Sequence, residues 1–139
     1  MSGGSAGPFD LRGRAFLVTG AASGIGRATA VMLAARGARL ALTDIAGEGL
    51  ERLLPELEGQ GHVARPYDLR NAGGIGAWLA ETAAAFGKLN GFVHAAGISC
   101  VSPVKALSLD ALREVLAVNA ESAFALAKGF ITPKVYAGE

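Results

Sequence analysis

The sequence predicts an α/β fold in which four parallel strands form an incomplete doubly wound sheet with the spatial order 3-2-1-4. Short apolar runs alternate with amphipathic segments in the order β-α-β-α-β-α-β-α, as in sheets built from right-handed crossovers. The apolar runs are continuous, which indicates strands that are buried on both faces. Glycine is frequent between these segments, which favours tight turns. The length of 139 residues predicts one domain.

The first unit consists of two strands and the helix between them. Residues 15–19 and 39–43 are short apolar runs, and both are predicted strands. A helix is expected to begin at Gly24 and to be closed by Gly37. Its shared apolar face is predicted to consist of Ile25, Ala28, Met32 and Ala35.

The next segment predicts a second helix and a third strand. Leucines at helical spacing mark the helix, which is expected to end near Gly59. Pro55 lies inside it and is expected to kink or shorten it. Residues 62–67 form the third predicted strand. The leucines that mark the helix are Leu50, Leu53, Leu54 and Leu57.

A third helix, a fourth strand at residues 91–95 and a long last helix complete the pattern. The last helix is predicted to start after Ser108, a favourable N-cap, and to end before Pro133. Residues 134–139 are then expected to be a loose tail. The third helix is marked by Ile75, Trp78, Leu79, Thr82 and Phe86. The last helix is marked by Leu112, Val115, Leu116, Asn119, Ala123, Leu126 and Phe130.

Composition limits the classes of partner. The net charge is +1, from 13 basic and 12 acidic residues, so no nucleic acid and no membrane surface is expected as a partner. No apolar run approaches the roughly 20 residues that a membrane-spanning helix needs. The single cysteine, Cys100, cannot form an internal disulfide, which favours a reducing, cytoplasmic location. Residues 1–9 are rich in Gly and Ser and are expected to be flexible.

The strongest functional signal is the segment Thr-Gly-Ala-Ala-Ser-Gly-Ile-Gly at residues 19–26, between the first strand and the first helix. Free N–H groups and the positive dipole end at a helix start favour a pyrophosphate, and glycines let the backbone approach it. This context predicts a Rossmann-type dinucleotide site. The residues expected to contact the cofactor here are Gly20, Ser23, Gly24, Ile25 and Gly26. The alternative is a strand-to-helix turn with a structural role alone.

Asp44 ends the second strand about 20 residues after the last glycine of the turn, the usual spacing of a ribose-binding acid, and Ile45 follows it. A carboxylate here can accept hydrogen bonds from both hydroxyls of the adenine ribose and would repel a 2′-phosphate. The predicted cofactor is therefore NAD rather than NADP, with Asp44 and Ile45 beside the ribose. The alternative is an aspartate that only stabilises a turn at the strand end.

The glycine segment, together with the lead-in at residues 11–18, resembles the fingerprint of the short-chain dehydrogenase/reductase family. The resemblance extends in the correct order from about residue 10 to about residue 128. It implies an NAD-binding Rossmann domain over residues 10–130. For a complete protein, it also implies hydride transfer between a nicotinamide and a small-molecule alcohol or ketone.

The resemblance implies two further contacts with the cofactor. Asp68 and Leu69 follow the third strand and would contact the adenine, the aspartate through the exocyclic amine; alternatively, Asp68 caps the helix that starts near Asn71. A second segment would pass close to the adenosine ribose, and it consists of His94, Ala95, Ala96 and Gly97. His94 stands where the family usually has Asn, and a purely structural role for it is equally open.

Asn119 interrupts the apolar stripe of the last helix. A buried amide must find hydrogen-bond partners. One interpretation is local bonding to the backbone that bends the helix. The other follows from the resemblance, which implies that an Asn here supports the active-site lysine through water, so Asn119 would be the single matching member of the catalytic set.

The rest of the family's catalytic set is missing from the pattern. The family uses a Tyr-x-x-x-Lys pair and a Ser that holds the substrate oxygen, whereas only residues 137–139 follow Tyr136. Residues 131–139 do not resemble the family and suggest a premature ending. We therefore expect an open edge on the fourth strand and no catalysis by this chain alone. The alternatives are a non-catalytic NAD-binding module, a homo-oligomer formed through helix 108–130, and an inert truncated product.

Overall fold

Four parallel strands form the sheet of the computed structural model, which describes residues 7–138. The strands are Ala15–Thr19 (β1), Arg39–Thr43 (β2), Val63–Ala64 (β3) and Gly91–His94 (β4). Their spatial order is β3-β2-β1-β4, which confirms the predicted α/β fold and the order 3-2-1-4. The flexible segment predicted at residues 1–9 falls mostly outside the described residues.

Helices connect the strands and cover both faces of the sheet. They are Gly24–Ala35 (α1), Gly47–Leu53 (α2), Ile75–Phe86 (α3), Leu109–Leu116 (α4) and Ser122–Phe130 (α5). A π-helical turn at Ala117–Glu121 joins α4 to α5, so the predicted long last helix is continuous. Ser108 caps it, because its hydroxyl accepts a hydrogen bond from the N–H of Ala111 at 3.1 Å.

Proline sets the limits of two elements. Pro55 lies at the start of the 3-10 turn Leu54–Glu56, which follows directly on α2, so the expected shortening of this helix is confirmed. The third strand comprises only Val63–Ala64 and is therefore shorter than the predicted residues 62–67. Pro66 has no N–H to donate to a ladder, although the N–H of Arg65 still donates to Leu42 at 2.7 Å.

The buried face of α1 is not the predicted one. All four residues of the predicted apolar face are exposed, and Ile25 is 79% and Met32 60% exposed. The face against the sheet consists of Gly26, Ala30 and Ala34. The close packing of Gly26 on the preceding turn fixes the rotation of the helix, and only small side chains fit between this helix and the strands.

The sheet separates two clusters of apolar side chains. Leu17 and Val18, adjacent on β1, are both fully buried but belong to opposite clusters, as the alternation of side chains along a strand requires. One cluster contains the predicted face of α3, and all five of its predicted residues are buried. The other contains α1 and α2. The central strands β1 and β2 are therefore buried on both faces, as their continuous apolar runs predict, whereas the edge strands β3 and β4 are only half-buried.

The segment after α5 belongs to the fold. Val135 is fully buried, and its carbonyl oxygen accepts a hydrogen bond from the N–H of Leu89 at 2.7 Å. The N–H of Ala137 donates to the carbonyl of Leu89 at 2.8 Å. The prediction of a loose tail is therefore wrong for residues 134–137, while Glu139 lies outside the described residues. Leu89 lies before β4, and within the described residues β4 itself pairs only with β1, so the outer edge of Gly91–His94 is open, as expected.

Replacing Val135 by Ala tests whether this segment contributes to stability. Because the side chain is fully buried, its truncation should lower the free energy of unfolding by about 2 kcal/mol. Urea unfolding of the full chain, followed by circular dichroism, measures the change. Ile131→Ala is the control, because Ile131 is 73% exposed, and it should change stability by less than about 0.5 kcal/mol. Equal effects of the two substitutions would contradict the packing of Val135.

Candidate functional site

The turn after β1 is shaped by three glycines with two different roles. A Cβ at Gly20 would lie 2.7 Å from the backbone nitrogen of Ala96, and a Cβ at Gly26 would overlap the carbonyl of Gly20. These two positions have no room for a side chain because backbone packs against backbone. Gly24 has a φ of +55°, and a Cβ there would meet nothing within 4 Å. Gly24 therefore leaves an open approach to the turn.

The start of α1 offers backbone N–H groups to this opening. Ser23 is the N-cap residue, with extended backbone, and its hydroxyl makes no capping hydrogen bond. No acidic residue lies in the first turn of the helix. The first N–H groups of a helix need partners from outside it, and the dipole adds positive potential at that end. A helix start of this kind is suited to an anion such as a diphosphate.

Asp44 joins the turn to the end of β2. One of its carboxylate oxygens accepts a hydrogen bond from the N–H of Ala22 at 3.1 Å, and the other accepts one from the N–H of Ala46 at 2.9 Å. The side chain is half-buried. A carboxylate can accept about four hydrogen bonds, so Asp44 retains acceptor sites beside the opening.

A cavity of about 440 Å³ lies at the carboxyl ends of the strands, between the glycine turn and the last helix. Eleven of the predicted cofactor residues line it: Gly20, Ser23, Gly24, Ile25, Asp44, Ile45, Asp68, Leu69, Ala95, Ala96 and Gly97. Gly26, His94 and Asn119 are not among its lining residues. The prediction missed five residues that also line it: Tyr67, Arg70, Ile98, Glu114 and Val118. Ligands of open α/β sheets bind at this end of the strands.

Asp68 is bound by Arg70 rather than by a helix start. Its carboxylate accepts hydrogen bonds from the backbone N–H of Arg70 at 3.0 Å and from Nη2 at 2.6 Å. The hydrogen bonds from Arg70 lower the pKa of Asp68, and they raise the pKa of Arg70. The 3-10 turn after Asn71 has no side-chain cap, so the interpretation of Asp68 as a capping residue is wrong.

Arg70 also reaches across the cavity to the last helix. Its Nη1 donates to the carboxylate of Glu114 in α4 at 3.1 Å. The pairs that Arg70 makes with Asp68 and Glu114 are both about half exposed to solvent. The two ion pairs of Arg70 were not predicted from the sequence, although an arginine two residues after an aspartate is a usable signal for the first of them.

His94 lies beneath the cavity in a hydrogen-bonded chain. Its Nδ1 is 2.8 Å from the hydroxyl of Thr19, and its Nε2 is 3.2 Å from the hydroxyl of Ser122. The Ser122 hydroxyl donates to the carbonyl of Val118 at 2.5 Å, so it accepts from Nε2–H. Nδ1 is then the acceptor in a neutral ring, and Thr19 donates to it. The Thr19 oxygen in turn accepts from the N–H of Ala96 at 3.1 Å.

This network gives His94 a positioning role for the end of the sheet. Burial lowers the pKa of His94, partly offset by a hydrogen bond with the backbone of Val118, so the neutral ring is favoured. Thr19 and Ser122 are fully buried and were not predicted. Their signal in the sequence is a hydroxyl residue at the end of a buried strand and another on the apolar side of a helix.

Asn119 lies in the π-helical turn and is exposed, so its interpretation as a buried amide is wrong. Its Oδ1 accepts from the N–H of Ile98, and its Nδ2 donates to the carbonyl of Ile98, both at 2.8 Å. The amide therefore holds the loop after β4 against the last helix. Its partner is this loop, not the backbone of its own helix.

Within residues 7–138, no helix has the length and apolar character needed to cross a membrane. Within the same residues, no three His, Cys, Asp or Glu side chains are grouped so that they could hold a metal ion.

Known proteins resemble the chain over most of its length. The profile of the short chain dehydrogenase family matches residues 14–136. D-threitol dehydrogenase of Mycolicibacterium smegmatis is 39% identical over 84% of the chain, which spans 45% of that relative. Levodione reductase of Leifsonia aquatica is 35% identical over 80% of the chain, which spans 43% of that relative. The chain thus covers about half the length of its relatives.

Two solved dehydrogenase structures also superpose on most of the chain. A short-chain dehydrogenase/reductase described as a glucose/ribitol dehydrogenase, from Brucella melitensis, superposes with a TM-score of 0.83 at 30% identity, over 91% of the chain and 52% of that protein. A dehydrogenase/reductase from Sinorhizobium meliloti 1021 gives a TM-score of 0.80 at 33% identity, over 88% of the chain and 50% of that protein.

Acidification should weaken the fold through His94. The unfolded chain takes up a proton near the usual histidine pKa of 6.5, above the lowered pKa in the folded state. The folded state therefore binds fewer protons in this window, and the free energy of unfolding should fall as the pH decreases from 7.5 to 5.5. Urea unfolding across this range measures the slope.

His94→Asn should reduce this slope, because it removes the titrating ring while keeping a short polar side chain. His62→Asn is the matched control, since it removes the other histidine, on the far side of β2, and should leave the contribution of His94 in place. An unchanged slope in His94→Asn would rule out His94 as its source.

Proposed function

The chain belongs to the short-chain dehydrogenase family, and from this membership we propose that its cavity binds the adenosine diphosphate half of NAD. The observation that carries the proposal is the open glycine turn at the start of α1 with the Asp44 carboxylate beside it. A diphosphate would lie against the N–H groups at Ser23 and Gly24. The ribose hydroxyls would donate to Asp44, and the base would extend toward Asp68.

The charges around the cavity favour NAD over NADP. Asp44, Asp68 and Glu114 contribute three carboxylates, and Arg70 is the one cation among the described residues that line the cavity. Arg70 is already paired with Asp68 and Glu114. A 2′-phosphate on the ribose would therefore meet the negative charge of Asp44 without a free cation, which costs binding energy.

Catalysis requires more than the cofactor. When bound, the dinucleotide supplies a nicotinamide ring that can accept or release a hydride, and a protein group must exchange a proton with the substrate oxygen. Both ring nitrogens of His94 are hydrogen-bonded below the cavity, one to the hydroxyl of Thr19 and the other to that of Ser122. Tyr136 pairs with Leu89, before the start of β4 and at the opposite end of the sheet from the cavity.

We therefore propose that these 139 residues bind NAD without catalysing hydride transfer. A small-molecule alcohol or carbonyl substrate is proposed only for a protein of the length of the relatives. The cytoplasmic location expected from the single cysteine stays a prediction.

A second candidate role is self-association through helix 108–130. Large apolar side chains on this helix are exposed, including Leu116 at 46% and Phe124 at 71%. Exposed apolar patches on helices commonly mark interfaces. Sedimentation velocity of the full chain, which measures the mass of the species in solution, would decide between a monomer and a dimer.

Gly24→Val tests the placement of the diphosphate. Its side chain would enter the open approach to the turn, so NAD binding measured by calorimetry should become undetectable, a loss of at least tenfold. Gly13→Val is the matched control, because Gly13 also has a positive φ, of +78°, and open space around its Cβ but lies outside the cavity. Its affinity should equal that of the native chain. If NAD produces neither heat nor a thermal shift with the native chain, the proposal fails and an inert product is favoured.

Asp44→Asn tests the choice of cofactor. The amide keeps the size of the side chain and one acceptor oxygen but removes the charge, and hydrogen bonds to charged groups are about twice as strong as neutral ones. The affinity for NAD should fall about tenfold and the affinity for NADP should not fall, so the preference for NAD narrows. Calorimetric titrations with both dinucleotides measure the ratio of the dissociation constants for NADP and NAD. A native chain that prefers NADP would contradict the proposed role of Asp44.

A further inference from the structure

Arg70 occupies the acceptor positions of the carboxylate at the far end of the cavity. From the glycine turn, the wall continues past Asp44 to the residues that follow β3, namely Tyr67, Asp68, Leu69 and Arg70. A nucleotide with its diphosphate at the turn and its ribose at Asp44 therefore brings its base to these residues. Asp68 is the carboxylate that such a base would meet.

The carboxylate of Asp68 has little capacity left for a base. Its Oδ1 accepts from the backbone N–H and from Nε of Arg70, both at 3.0 Å. Its Oδ2 accepts from Nε at 3.0 Å and from Nη2 at 2.6 Å. A carboxylate offers about four lone-pair positions, so one arginine fills nearly all of them and neutralises the charge.

Glu114 holds Arg70 in this position from the opposite side. The Nη1 of Arg70 donates to Glu114 in α4 at 3.1 Å, so the side chain is anchored to the loop after β3 and to the last helix at once. To expose Asp68, the guanidinium of Arg70 would have to break the Nε and Nη2 hydrogen bonds to that carboxylate, and its contact with Glu114 opposes this movement. A bidentate arginine with a second carboxylate is more persistent than an isolated surface pair.

We propose that Arg70 is a specificity-determining residue that makes the base end of the cavity tolerant of 6-oxopurines as well as adenine. The proposal rests on the dinucleotide binding proposed above. A free Asp68 would accept a hydrogen bond from the 6-amino group of adenine and would repel the 6-oxo group of hypoxanthine. When Arg70 fills the acceptor positions of Asp68, this carboxylate neither binds the 6-amino group nor repels the 6-oxo group. The Arg70 guanidinium makes these contacts with Asp68 and Glu114 through Nε, Nη1 and Nη2.

The test compares NAD with nicotinamide hypoxanthine dinucleotide, which differs at the 6-position of the purine. Calorimetry of the full native chain should give dissociation constants within about threefold of each other, because neither base is read by a free carboxylate. Arg70→Ala releases Asp68, and the preference for NAD should rise to at least about tenfold.

Two variants control for other causes. In Arg70→Ala combined with Asp68→Ala, the preference should return to about threefold or less, because the released carboxylate is absent. Arg113→Ala removes an exposed arginine on the same helix as Glu114, one that pairs with Asp110 and lies outside the cavity, and should leave the native ratio unchanged. Asp68 and Arg70 are both about half exposed, and a thermal melt verifies that the variants fold.

The outcomes separate the two proposals. Native binding of both dinucleotides with a preference of tenfold or more for NAD overturns the role of Arg70 but leaves dinucleotide binding intact. An unchanged ratio in Arg70→Ala overturns it as well. If the native chain binds neither dinucleotide, the proposed function fails and this inference fails with it.

Discussion

The cavity depends on one steric constraint, which is the contact of backbone with backbone at the end of β1. Gly20 touches Ala96, and Gly26 touches the carbonyl of Gly20, so neither position has room for a Cβ. These contacts bring the start of α1 over the carboxyl end of the sheet and leave Gly24 facing open space. The same contacts fix the rotation of α1, because Gly26 can face the turn only if Ala30 and Ala34 face the strands.

The sequence therefore predicts α1 and α3 unequally. In α3, large apolar residues at helical spacing are the buried ones, because burial of large apolar area is the main stabilising term for that helix. In α1, the spacing of large residues points to the exposed face, because the helix packs so closely that only Gly26, Ala30 and Ala34 fit. Periodicity of large residues predicts a buried face only where the distance between the elements leaves room for large side chains.

The strand order and the glycine turn could be predicted because each depends on local sequence and general rules of chain connection. The partners of the polar residues could not. Thr19, His94 and Ser122 come from three different elements, and nothing in their spacing indicates that they form one hydrogen-bonded chain. Val135 was missed for a similar reason, because a single valine between polar residues gives no periodic signal, and its burial depends on the free edge beside Leu89.

The two ends of the cavity rest on different kinds of interaction. The turn is defined by packing and by backbone N–H groups, which salt and substitution of neighbouring side chains change little. The base end is defined by Asp68, Arg70 and Glu114, whose half-exposed ion pairs are screened by salt and individually weak. The identity of the base can therefore change through these three side chains while the diphosphate site stays intact, since no backbone contact of Gly20 or Gly26 involves them.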